Sequence, residues 1–391
     1  MKLLNLIFLI PVIGVLTNCT NSSSVKNDDP KDTIWYLGGF VRPADVNPIM
    51  KPDSTTTFFD PMSKKMVRWE ENDTFNPGAV VKDDTVFMLY RAEDKFGIGI
   101  GFRTSRLGLA YSLDGINFTR FPEPVLFPDE DEQKKYEWPG GIEDPRVAVT
   151  DDGTFVVFYT QWNRDTPRLG VATSKNLREW QKHGPIFQHA KYSKFMTTPH
   201  KSASIVTEVK DNRLVVSKVN GKYFMYFGEH GVHGATSDNL IDWEPVLDSV
   251  GNPAKFIDVR EGYFDSALTE CGPPAVKTDK GILLIYNGKN HNETQFADKR
   301  LPTGTYSGGQ VLFDKEDPSK VLERMDIPFM RPMEAFEKSG QYADGTVFLQ
   351  GLVFYKSQWY MYYGCADSMV GVAVYNPKVQ SSFDPMPISS E

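Results

Sequence analysis

The 391-residue chain has only three cysteines, and none stands in a CxxC or a Cys/His cluster, so no ligand set for structural zinc is present. Basic blocks are missing too. Its 43 Lys and Arg are scattered against 51 Asp and Glu, a formal net charge of −8, which gives no electrostatic footprint for nucleic acid. Neutral, polar or cationic partners fit better than polyanions, and nothing calls for a cofactor or a metal. Helical periodicity longer than about two turns is hard to find, which argues against a helical bundle. Apolar runs long enough to cross a membrane are also lacking.

The longest apolar run lies in the first 19 residues, "MKLLNLIFLIPVIGVLTNC", where it follows a Lys and ends quickly at a cysteine. This pattern predicts an export signal. Its ending "VLTNC" is similar to a lipobox, with Cys19 as the lipidated residue after cleavage. Residues 20–33, polar and poor in hydrophobics, read as a flexible tether, and residues 34–391 as a single catalytic domain. The expected membrane contact is through the lipid anchor alone. Thr, Asn and Ser rather than acids after Cys19 point to a periplasm-facing anchor in the cell envelope. Cys271 and Cys365 can then either pair in an oxidising compartment or pack as small hydrophobes.

What the sequence does contain is a recurring unit. A start with Pro or Gly, a short apolar run, a polar turn and an aromatic-rich strand recur five times, from Asn76, Glu143, His200, Cys271 and Phe348. The turns "KDD", "DDG", "NGK", "TDKG" and "KSQ" are rich in residues that tolerate hairpin dihedrals. Third strands such as "LGLAYSLDGINFTRF" and "LGVATSKNLREW" follow several of them. Such units cannot bury both faces alone, so radial stacking is the economical solution. The reading is all-β, a five-bladed β-propeller, with the openings of the copies converging on a central channel.

The segments "FNPGAVV", "LYRAED", "GGIEDPRV", "CGPPAVKTDKGILLIYNG" and "YYGCAD", in this order, resemble glycoside hydrolase family 130, propellers that cleave β-linked mannosides by phosphorolysis or hydrolysis with inversion. The resemblance implies that Asp144 of "EDPR" is the general acid. It also implies that Asn76, Arg91, Asp94, Glu143, Arg146 and Asp367 frame the sugar. A carboxyl at a partly desolvated channel mouth beside other acids is expected to have a raised pKa. His200 and Lys201 open the third copy and should reach the channel. Trp138, Trp162 and Tyr263 are candidates for stacking on sugar faces, and the polar loop 288–300 for a lid. His230 and His233, spaced HxxH on a strand-to-loop segment, do not share a face as they would on a helix.

Phosphorylases resembling this chain hold phosphate with a basic cluster. Here Glu229 and Glu270 stand where positive charge is expected, and Asn287 replaces a His. Two carboxylates repel a phosphate dianion and suit water activation in an inverting hydrolase. The expected activity is therefore inverting hydrolysis, with Asp144 as acid and Glu229 and Glu270 activating water, and the resemblance to extracytoplasmic members that lack the phosphate cluster implies exo action on β-1,2-linked mannosides. Arg168, a basic residue retained in "TPRLG", keeps a β-mannoside phosphorylase as the alternative. A non-catalytic, lipid-anchored glycan-binding propeller is the alternative of another class. The sequence leaves the oligomeric state open.

Overall fold

Residues 34–94, 99 and 101–377 are described in the structure, a computed structural model of the chain. The Cys19 reading and the tether fall outside these residues. Strands dominate, and they read as nearly continuous apolar runs because both of their faces are covered. In "FVVFYTQW", Phe155–Trp162, all but the last residue are buried. Successive side chains point to opposite faces. Phe155, Val157 and Tyr159 accordingly pack toward the preceding blade, and Val156 and Phe158 toward the following one.

The architecture is a five-bladed β-propeller. Blades 1 to 5 begin with the inner strands Asp73–Lys82, Gly141–Val149, Ala203–Lys210, Leu268–Cys271 with Ala275–Lys277, and Val347–Tyr355. Each inner strand pairs antiparallel with the aromatic-rich strand that follows it. Five apolar clusters fill the five blade interfaces. The one between blades 5 and 1 contains Trp69, Tyr90 and Tyr362, and the others lie between blades 1 and 2, 2 and 3, 3 and 4, and 4 and 5. The ring is closed by segments from the two halves of the chain. Val41 and Met50 bridge antiparallel to Val374 and Val370, completing the outer edge of blade 5.

The third blade departs from the simple repeat. Its inner strand is shared: Ala203–Ile205 pairs with Lys222–Phe227, whereas Thr207–Lys210 pairs with Arg213–Val216. The "EDPR" segment also differs from a turn that feeds a strand. It is a bulge in the middle of the strand Gly141–Val149, where the register shifts between Glu143 and Arg146. Matching shifts fall between Phe75 and Gly78 in blade 1 and between Leu349 and Gly351 in blade 5. Pro77 and Pro145 sit in these interruptions, where no ladder N–H is required.

Candidate active site

The bulges explain why polar side chains gather at one end of the channel. Asn76 and Asp144, at φ 44° and 49°, adopt left-handed backbone conformations, which turns their side chains out of the strand alternation. Gln350 of blade 5 lies beneath them, donating from Nε2 to the carbonyls of Asn76 and Pro145 at 2.6 and 2.9 Å. Glycine is required where the bulged strands meet: a Cβ on Gly78 would lie 2.6 Å from Pro145 O.

Above this floor is a pocket of about 260 Å³. Eight of the residues singled out by sequence line it: Asn76, Arg91, Glu143, Asp144, Lys201, Glu229, Glu270 and Asp367. Trp162 lines it as well, consistent with a stacking surface. The sequence reading missed Tyr306, Tyr342, Thr346 and Phe348. Phe348 opens the fifth copy and was findable by the logic of converging openings. Tyr306 opens the strand Tyr306–Phe313 and Tyr342 comes from a loop; neither carries a repeat signal.

Two charged groups organise the pocket. In the first, Arg91 reaches Glu93 at 2.6 Å and Glu143 at 2.7 Å through Nη2, and Asp144 at 3.2 Å through Nη1. Asn76 donates to Asp144 Oδ1 at 2.9 Å. In the second, formed by blades 3 and 4, Lys201 Nζ lies 2.9 Å from Glu229 Oε1, and the Ser202 hydroxyl donates to Glu270 Oε1.

Burial and charge set the proton positions. Burial, with Asp144 beside it, pushes Glu143 up to about 7 despite Arg91. Burial pushes Asp367 up to about 8 and Glu270 to about 7. Burial acts the same way on Asp144, but Arg91, Arg146 and Lys201 together outweigh it and hold that carboxyl below its ordinary value. This corrects the expectation of a raised Asp144. In the free pocket the proton of the Glu143–Asp144 pair resides on Glu143, because Asp144 has the larger share of nearby positive charge.

Five residues expected to touch sugar are placed elsewhere, each held by structural partners. Arg146 is fully buried beneath the pocket, donating to the carbonyls of Asp144, Cys271 and Gly272. It positions the acid rather than lining the site. Asp94 is bound to Arg106 at 2.9 Å and to the Thr104 amide. Arg168 donates from Nε to Met196 O and from Nη1 to Thr166 O and does not line the pocket. Burial pushes His200 down to about 4; its Nδ1 accepts from the Leu169 amide, and it walls a neighbouring aromatic cavity. Asn287 pairs with both the amide and the carbonyl of Leu349, stitching blade 4 to blade 5.

Tyr263 stacks under Arg260, 4.3 Å away, instead of facing the pocket, and Trp138 is absent from its lining. Loop 288–300 is pinned by buried Asn290, which donates to the carbonyls of Asp298, Leu301 and Pro302; the pocket wall comes instead from Tyr306, Tyr342 and Thr346. His233 is bonded to Ala254 O. Cys271 and Cys365 are both buried and unpaired, so the packing alternative holds.

Comparison with known proteins follows the same lines. The family model Glyco_hydro_130, described as beta-1,4-mannooligosaccharide phosphorylase, matches residues 42–380. A 1,2-beta-oligomannan phosphorylase from Thermoanaerobacter sp. is 33% identical over 329 residues, covering 81% of this chain and 94% of its own. A solved glycosyl hydrolase from Bacteroides ovatus is 57% identical with a TM-score of 0.87, covering 90% of this chain and 98% of that one. Another solved structure is 55% identical with a TM-score of 0.88, again over 90% and 98%. It is described as showing that the GH130 family of mannoside phosphorylases contains glycoside hydrolases that target beta-1,2 mannosidic linkages in Candida mannan.

Proposed function

This chain belongs to glycoside hydrolase family 130 and is an enzyme acting on β-mannosides, and from that premise we propose that it hydrolyses β-1,2-linked mannosides, releasing mannose from the chain end with inversion. The observation that carries the reading is the wall formed by blades 3 and 4. It presents two carboxylates, Glu229 and Glu270, and the lysine beside them, Lys201, is tied to Glu229 at 2.9 Å. A phosphate dianion finds no free positive charge there, because the lysine is already paired with Glu229, whereas a water molecule finds acceptors. The β-1,2 preference rests on the likeness to the 55% identical structure.

In this mechanism Asp144 delivers a proton to the glycosidic oxygen while Glu229 and Glu270 position and deprotonate a water that attacks the anomeric carbon. Glu143 supplies the proton of the acid pair, and Arg91 keeps both carboxylates in register. The alternative, phosphorolysis, is favoured by the name of the 33% identical oligomannan phosphorylase. Incubation with β-1,2-mannobiose, with and without phosphate, followed by proton NMR, separates the two. Hydrolysis gives α-mannose first, without any phosphate requirement. A phosphate requirement with mannose 1-phosphate as product sinks the hydrolytic reading.

Lipid attachment at Cys19 is part of the same proposal, since an envelope anchor suits an enzyme that meets glycans outside the cytoplasm. A Cys19→Ser variant expressed in a bacterial host should move from the membrane fraction to the soluble fraction. Parent protein already in the soluble fraction contradicts the anchor.

A further inference from the structure

We infer that the dipeptide Lys201–Ser202 divides the work of the two water-side carboxylates, making Glu229 the proton-accepting base and Glu270 a neutral carboxyl that holds the water in place. The inference rests on the hydrolytic reading above and goes beyond it by separating two acids of the same residue type.

Two consecutive residues at the start of blade 3 reach carboxylates from different blades. Lys201 makes an ion pair with Glu229 at 2.9 Å, and Ser202 donates to Glu270 of blade 4. Ser202 has φ 62°, a left-handed conformation that sends neighbouring side chains to different walls and is uncommon for a residue other than glycine. The clamp is fixed at the backbone as well, because the Gly228 amide, immediately before Glu229, donates to Lys201 O at 3.0 Å.

The two contacts differ in charge. A lysine strongly favours an ionised partner, whereas the Ser202 hydroxyl, which carries no charge, favours one only weakly. The surroundings differ in the same sense: the Glu229 side chain is 29% exposed, while Glu270 is 3% exposed. Glu270 faces Lys201, Glu229, Arg146 and Asp367, with Tyr306 beside it. Burial and the neighbouring Glu229 outweigh Lys201 and Arg146, so Glu270 holds its proton up to about 7. Two adjacent carboxylates do not readily ionise together; Lys201 acts on both, and the deeper burial of Glu270 makes it the one that keeps the proton.

The step then balances simply. Water gives a proton to Glu229 as its oxygen bonds to the anomeric carbon, the glycosidic bond breaks, and the leaving oxygen takes the proton delivered by Asp144. Glu229 afterwards releases its proton to solvent through its exposed edge, and the Glu143–Asp144 pair takes one up from solvent, which restores the starting state. Lys201 and Ser202 are positioning residues in this scheme.

The experiment measures kcat and KM for β-1,2-mannobiose against pH in E229Q, E270Q, K201M, K201R and S202A. Loss of the base in E229Q should lower kcat by about 10³-fold, and E270Q, an isostere of a protonated glutamate, by about tenfold or less. K201M should move the acidic limb of kcat upward by on the order of one pH unit, with KM changed by less than about threefold, and K201R should restore the limb. S202A should lower kcat several-fold without moving that limb. E270Q as damaging as E229Q overturns the division of roles. So does K201M with an unmoved limb, whether the accompanying change is a raised KM or a lowered melting temperature. Parent enzyme that releases no mannose without phosphate fails the hydrolytic reading itself, before any variant is compared.

Discussion

At the scale of single residues, the pocket is a place where burial and charge compete atom by atom. Asp144 is the acid in our reading, so D144N should lower kcat by about 10²–10⁴-fold while leaving mannose binding, measured by calorimetry, within a few-fold. Retained turnover removes Asp144 from that role. The raised carboxyls also set a pH dependence. Asp367 is pushed to about 8 by burial, whereas an unfolded aspartate titrates near 3.8. Folding therefore stabilises its protonated form, and stability is lost as pH rises from the unfolded value through about 8. D367N removes that burden and should raise the melting temperature at pH 8.5 by on the order of a few degrees, with little gain at pH 4. An equal shift at both pH values contradicts the assignment. The cost expected for D367N is activity, since Asp367 lines the sugar pocket.

At the scale of elements, the inner strand matters more than the turn that its sequence suggests. The bulge at Asp144–Pro145 works only because the facing strand carries Gly78, whose added Cβ would lie 2.6 Å from Pro145 O. G78A should therefore cost about 1–3 kcal/mol in chemical denaturation and lower kcat at the same time, because the strand that must yield is the one presenting Asp144. Gln350 gives a companion test. Q350A strips the buried carbonyls of Asn76 and Pro145 of a shared donor, and about 1–3 kcal/mol of stability should go with it. A neutral result in both variants would show that the bulges are held by something other than these contacts.

At the scale of the whole molecule, stability depends on closing the ring. Blade 5 is built from the C-terminal strands and completed by Val41 and Met50, with Arg42 reaching Glu337 at 2.6 Å and donating to Arg331 O. Deleting residues 34–52 should expose the outer edge of blade 5 and lower the melting temperature sharply, readable by calorimetry as a loss of cooperativity. The sequence by itself determined the β class and the five copies, because hairpin turns and two-sided apolar strands are local patterns repeated along the chain. It also determined the charged residues at the copies' openings, because inner-strand starts converge in any propeller. It misplaced Arg146, Arg168, His200 and Asn287, whose residue types suit sugar or phosphate but which the fold binds to carbonyls and amides of its own backbone, outside the pocket lining. Tyr306 and Tyr342 escaped notice for the converse reason: nothing local marks them, and the fold brings them to the pocket from distant segments, as it brings buried Ser202 to Glu270. The protonation of the acids belongs to the tertiary structure in the same way. Charge type is written in the sequence, but the pKa of Asp144, Glu143 or Glu270 depends on how deeply the fold buries each one and which of Arg91, Arg146 and Lys201 it sets beside them.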